Sequence, residues 1–363
     1  MTWYKITPID TLFFKNAKPF NAGQDMWSKS MFPPLPSVYR GAFRTAYFAE
    51  NIDEFHRAGE KDDPTLNIKI GLTAIAKKRK EYFPVPLDLY ILKDKHGSRS
   101  EVKVYEKKKL SCVSSYPFEY VLSENENINY DESETDNVGP DDFIDLASLN
   151  CYLAKAGDSL ELENIDSFIT YENKTGIAID RCTGNSKQSM LYQIYSIRMK
   201  NNVSMLVDVE NMNDCSCKTI KLGGEARAAS VEKCNKDVAE AINTPTITGK
   251  EFKIYLASPA IFSNGWLPGW INPKDMTGTY EVGNRSVTVR VTVAATGRPI
   301  AAGGFDMKAK KPKEMVAAVP AGSVYYMELI KGSIEDVVEL FHKKKISDSR
   351  SEDGFGYCMI GVV

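Results

Sequence analysis

Short apolar runs, many of them alternating with polar residues, dominate the chain and predict strands. Trp3, Tyr4 and Ile6 mark one at residues 2–8, and residues 87–92, 102–105 and 203–209 carry three more. The second half shows the clearest period of two, in Phe252, Ile254 and Leu256 and again in Val287, Val289, Val291 and Val293; residues 322–329 and 356–363 also read as extended. Over residues 176–198, Ile177 and Ile179 alternate with small or polar neighbours, residues 181–187 are turn material, and residues 190–197 resume the strand pattern. That stretch predicts a long β-hairpin with a polar, basic tip.

Helical signals are fewer. Ser37 follows Pro36 and is a good N-cap for a helix running to about Asn51, with Val38, Ala42, Thr45 and Ala49 as a small apolar stripe. Residues 334–345 read as an amphipathic helix with Val337, Val338 and Phe341 inward. Residues 10–25 and 53–64 read as loops, and the basic stretches 77–80 and 107–109 as solvated faces or turns. Strands mixed with a few helices, without regular βαβ alternation, predict an α+β fold. At 363 residues the chain exceeds one ordinary domain, and two units, 1–215 and 216–363, are expected.

Charge alters this picture. The net charge of −2 argues against a nucleic-acid binder. Its distribution does not: residues 122–150 hold nine acidic residues and no Lys or Arg. With those nine set aside from the 48 acidic residues, 39 remain against 46 basic ones. The body is mildly basic and carries one acidic excursion, expected to be a mobile insertion without regular structure. No apolar run spans a bilayer and no signal peptide opens the chain, so a cytoplasmic protein without membrane contact is expected. Seven cysteines without framework spacing fit a reducing compartment.

Candidate chemistry lies in arginines and glycines. Arg40 and Arg44, four apart on one helix face, are either an exposed basic face or two guanidinium forks for phosphate. Gly223-Gly224-Glu225 with Arg227 allows close backbone approach to a ligand, or is a plain turn; without Lys-Ser/Thr it is no nucleotide-hydrolysing loop. Arg298, Gly303 and Gly304, then Gly354, Gly356 and Gly361, mix glycine with Arg and aromatics in a way that suits backbone contact and base stacking, or simple turn geometry. Two tryptophans in the 262–270 loop serve packing or stacking equally well. His56, His96 and His342 stand outside any catalytic motif, Cys215 and Cys217 lack a second metal-binding pair, and no cofactor motif is present.

Taken together, Asp10-Thr11-Leu12-Phe13-Phe14, Lys18-Pro19-Phe20, the segment from Pro36 to Arg44, Gly223-Gly224-Glu225 and Gly354-Phe355-Gly356 resemble the RAMP superfamily of CRISPR proteins. Ala302-Gly303-Gly304-Phe305-Asp306 and the segment from Pro320 to Tyr326 are similar to the family of third subunits of type III-B (Cmr) effector complexes. The resemblance runs from Trp3 to the C-terminus, outside the acidic segment. It implies two ferredoxin-like (RRM-like) modules with a long hairpin called the thumb. It implies a non-catalytic subunit that caps the 5′ end of the CRISPR RNA (crRNA) by holding its repeat-derived 5′ tag. The large Palm-containing subunit and the backbone RAMP subunit are the implied partners, with target RNA near the tag. Carried onto this chain, the RNA-binding positions are Lys18, Arg40, Arg44, the thumb tip with Arg181, Lys187 and Met190, the turn Gly223, Gly224, Glu225 and Arg227, and the loops of Arg298, Gly303, Gly304, Gly354, Gly356 and Gly361. The alternative is a metal-independent RAMP endoribonuclease cutting CRISPR repeats, which needs an acid and a base at the 2′-OH; Tyr39, Lys18 or Tyr357 are its candidates.

Overall fold

The computed structural model describes residues 2–15, 27–93, 99–111, 118–125, 134–156, 160–180, 182–212, 217–225, 227–306 and 311–363. Two antiparallel sheets and a hairpin organise the fold, which is α+β and mostly strand. The first sheet has eight strands in the order Leu162–Asn164, Asp142–Asp145, Lys80–Pro84, Lys69–Lys77, Val203–Glu210, Thr2–Pro8, Ala228–Cys234 and Thr219–Lys221. The second has six: Thr277–Val282, Arg285–Ala295, Val324–Lys331, Glu251–Leu256, Tyr357–Gly361 and Lys344–Lys345.

Alternation assigns the faces. Tyr4 and Ile6 point to a core closed by helix α1 (Pro36–Glu50) through Tyr39, Ala42, Phe43 and Ala46. Trp3, Leu72, Ala74 and Leu206 point the other way, into a core shared with Tyr255, Val293, Val324, Tyr326 and Met359 of the second sheet. The first sheet is thus covered on both sides, which explains the near-continuous burial along Val203–Glu210. Helix α3 (Ile334–Phe341), capped by Ser333, closes the far face of the second sheet with Val337, Leu340 and Phe341.

Several expectations change. The division at 215/216 cuts through the first sheet, because Thr219–Lys221 and Ala228–Cys234 pair into it, the latter directly with Thr2–Pro8. The second sheet begins only at Glu251. The acidic excursion is not one insertion: residues 126–133 lie outside the described residues, but Asp142–Asp145 is a buried strand and Leu146–Ala154 is helix α2. Its acidic count conceals Phe143, Ile144 and Leu149, all core residues, and Asp145 is both the N-cap of α2 and the partner of Lys80 at 2.7 Å. Helix α1 starts at Pro36 with Leu35 at the cap position, since proline suits the first helical turn. Residues 106–109 are a strand rather than a turn, and Ile52–Arg57 is a short 3₁₀ helix. Helix α3 stops at Phe341, and the chain then turns through Lys343 at φ +60° into Lys344–Lys345.

Candidate nucleic-acid interface

The predicted hairpin is present and longer than expected. It pairs Ile169–Ile179 with Ser186–Met199, and Trp27–Lys29 adds a parallel third strand. Phe168, Ile169 and Ile197 root it in the first core. Gly176 lies opposite Tyr192, whose ring fills the place a side chain at 176 would take, 2.3 Å from a Cβ there. At the tip, Asp180 accepts from the backbone N–H groups of Cys182 and Thr183 at 2.9 and 3.0 Å, so the turn is built locally.

Register separates two faces. Ile177 and Leu191 sit directly opposite each other, with Trp27 beside Gln193 on the same side; these three side chains and Ile179 beyond the bulge are exposed, Ile179 by 61% and Trp27 by 59%. Glu172, Lys174 and Arg198 lie on the other face. There Arg198 donates to Glu172 from Nε and Nη2, and to Asp10 at 3.2 Å. The second oxygen of Asp10 accepts from Arg227 at 3.0 Å, and Arg227 also meets Glu225 at 2.6 Å. Lys174 donates to the Thr11 hydroxyl at 2.7 Å. The Thr11 backbone N–H and then the charges of Lys174, Arg198 and Arg227 hold the Asp10 carboxyl below the usual carboxylate range.

The two helix arginines behave differently. Arg40 donates to the carbonyls of Ile68 and Leu66 and to Asp353, each at 2.7 Å. Arg44 donates to Thr65 and to the buried Asp63 at 2.7 and 2.6 Å. Their forks point into the protein, tying α1 to residues 63–68 and to the C-terminal loop. Burial raises the Asp63 carboxyl, but the Thr65 hydroxyl, the amides of Gly59 and Thr65, and Arg44 outweigh it and hold the group at about 2.

Gly223 takes φ +77°, and a Cβ there would lie 2.6 Å from the Phe13 carbonyl; the Gly224 N–H donates to that same carbonyl at 2.8 Å. The turn is therefore docked on Phe13, with Glu225 and Arg227 at its rim. Gly354, Gly356 and Gly361 are buried, the first packed on Pro36 and Ile70, so they allow close packing instead of offering open amides. Arg40 and the C-terminal loop are brought together through Asp353 and Pro36. Arg298 and Gly304 are exposed, Gly303 half-buried against Met315, and Lys187 is exposed at the start of the second hairpin strand with Met190 half-buried along it. Lys18 and Arg181 lie outside the described residues, as do His96 and Cys215. A cavity of about 170 Å³ between residues 31–36 and the strands Lys69–Lys77 and Lys80–Pro84 of the first sheet has no lysine or arginine in its lining.

The family model described as "CRISPR-associated protein (Cas_Cmr3)" matches residues 4–363. The chain belongs to the Cmr3 family. Its fold is similar to that of a chain in a cryo-EM structure of the type III-B Cmr-beta complex bound to cognate target RNA, with TM-score 0.53 and 18% identity, covering 98% of this chain and 96% of that one. A second Cmr-beta structure, bound to cognate target RNA and AMPPnP, contains a similar chain with TM-score 0.51 and 17% identity, covering 89% and 86%. No curated protein matches the chain.

Two of the three histidines lie among the described residues of this Cmr3-family chain. His56 is exposed and bonded to the Asp53 carbonyl. His342 is buried, and its burial, with Lys343 nearby, lowers its pKa to about 4. Among the described residues no cluster of three metal-capable side chains occurs, and no helix is long and apolar enough to cross a membrane. Arg198 and Trp27 are candidate residues that the sequence reading does not single out, and Asp10 figures there only within the Asp10–Phe14 segment. Asp10 and Arg198 stand 188 positions apart, and no local motif announces the pairing.

Proposed function

We propose that the chain is a non-catalytic RNA-binding subunit of a type III-B CRISPR ribonucleoprotein, acting in antiviral defence. It holds the repeat-derived 5′ tag of the crRNA, its two sheets act as ferredoxin-like modules, and the hairpin is the thumb beside the first guide–target pairs. The large Palm-containing subunit and the backbone RAMP subunit are its neighbours. Family membership supplies the frame, and likeness to chains from RNA-bound Cmr-beta complexes supports it.

The observation that carries this proposal is the hairpin. Strands of 11 and 14 residues project Ile177, Ile179 and Leu191 into solvent, with Trp27 at their side. Exposed apolar side chains on a stiff ribbon suit insertion against a base stack. Unstacking one step costs about a few kcal/mol, which burial of those side chains offsets. Exposed Lys187, Arg198 and Arg298 lie within reach of solvent and suit phosphate contact.

Shortening the hairpin tip between residues 181 and 189 in the reconstituted complex is expected to alter pairing next to the tag, while crosslinks from the tag to this chain persist. Normal pairing there, with no tag nucleotide crosslinking to the chain, would refute the proposal. Specific cuts in repeat RNA by the purified chain in EDTA would establish the endoribonuclease instead.

A further inference from the structure

Four ion pairs meet where the hairpin base approaches the paired-glycine turn. Asp10 uses one carboxylate oxygen for Arg198 at 3.2 Å and the other for Arg227 at 3.0 Å. The two guanidinium groups come from distant elements, the outgoing hairpin strand and the turn after Thr219–Lys221, and among the described residues Asp10 bridges them. A monoanion with two equivalent oxygens between two arginines has the chemistry of an RNA phosphodiester, whose two non-bridging oxygens suit the same forks. Asp10 is 51% exposed and Arg198 47%, so these are solvent-screened pairs that exchange readily. The contrast within the same protein is Asp63, fully buried beneath Arg44 and further held by the Gly59 and Thr65 amides.

We propose that Arg198 and Arg227 form a clamp for an RNA phosphodiester, and that Asp10 occupies that seat until RNA displaces it. This deepens the function proposed above and rests on it. Lys174, tied to Thr11 beside Asp10, adds a third cation next to the seat. Glu172 and Glu225 keep the two arginines oriented after Asp10 leaves. Asp10 then acts as a selectivity element: random weak anions fail to displace it, whereas a strand already held elsewhere on the protein succeeds through its raised local concentration.

The test uses the full chain and a fluorescent single-stranded RNA oligonucleotide at low salt. Asp10→Asn is expected to bind about three- to tenfold tighter than the parent. Arg198→Ala with Arg227→Ala is expected to weaken binding, to lower the salt dependence, and to abolish the gain when combined with Asp10→Asn. Asp62→Asn, which removes an exposed carboxylate from a similar pair with Arg57, controls for net charge and should leave affinity unchanged. If the parent binds RNA and Asp10→Asn matches Asp62→Asn, the clamp is refuted while the RNA-binding function stands. If no variant binds RNA at all, both fall. Matching unfolding curves for Asp10→Asn and the parent exclude a folding origin for any change.

Discussion

The arginines of this chain divide by what surrounds them, and sequence spacing does not reveal the division. Arg40 and Asp353 are each 17% exposed and Asp63 is wholly covered, so the α1 pairs are structural fastenings. Removing one partner strands a buried carbonyl or carboxylate. Arg40→Ala and Arg44→Ala are each expected to cost about 2–4 kcal/mol by denaturant unfolding. RNA affinity measured well below the unfolding midpoint should stay within twofold of the parent. A stable Arg44→Ala protein with weakened RNA binding would return Arg44 to the interface. Asp208 makes the opposite case, a carboxylate without adequate support. Gly71 leaves it room, its buried Oδ1 has no hydrogen-bond partner among the described residues, and burial, then Glu210, raises its pKa to about 6 from 3.8. The folded state therefore binds more protons than the unfolded chain between those values, and stability falls as pH rises through that window. Asp208→Asn is expected to add about 1–3 kcal/mol at pH 7 and to remove this slope. Urea midpoints at several values from pH 4 to 7 decide the matter, and an unchanged slope would show that Asp208 is not its source.

At the scale of elements, legibility followed the locality of the forces. Helix α1 is legible from Pro36, a local signal, but its buried face is Tyr39, Ala42, Phe43 and Ala46, while Thr45 and Ala49 of the expected stripe are exposed; its cap lies two residues earlier than Ser37 because Leu35 needs no side-chain bond before a proline. The hairpin was legible where Ile177 and Ile179 alternate, and invisible over Glu172-Asn173-Lys174, where pairing with Ser196, Tyr195 and Ile194 supplies the order. Thr219–Lys221 and Ala228–Cys234 gave no hint of their sheet, because the strand that recruits them, Thr2–Pro8, lies more than 200 positions away. For the C-terminal glycines, the sequence suggests close approach but does not show what approaches. At Gly354 it is Pro36 and Ile70. The acidic stretch misled for a related reason. Charge counting weighs Asp142 and Asp145 as solvated, while the fold uses one as a backbone acceptor for Gly139 and the other as a helix cap.

For the molecule as a whole, the seam between the two sheets decides whether the chain behaves as one body. Asp88 is fully buried there and accepts from the hydroxyl of Tyr152 on α2, at 2.7 and 2.9 Å, and from that of Tyr326 on the second sheet at 2.7 Å. Lys253, also from the second sheet, places Nζ 3.7 Å from Asp88 and 3.5 Å from the Tyr152 ring centre. Burial lowers the Lys253 pKa to about 8 from 10.5, with Asp88 opposing the shift. The unfolded chain thus binds more protons between those values, and stability rises with pH across them as the buried ammonium loses its charge. Asp88→Asn removes the carboxylate that faces that ammonium among the described residues and is expected to cost about 3–5 kcal/mol at pH 7. Lys253→Met should flatten the alkaline rise. The double variant should recover much of the loss from Asp88→Asn, since a buried pair replaced by uncharged groups is often nearly neutral. Because the cluster and the surrounding core belong to both sheets, each variant should shift one cooperative transition. Two separated unfolding steps, only one of them moved by Asp88→Asn, would show that the sheets fold as independent units despite their common core.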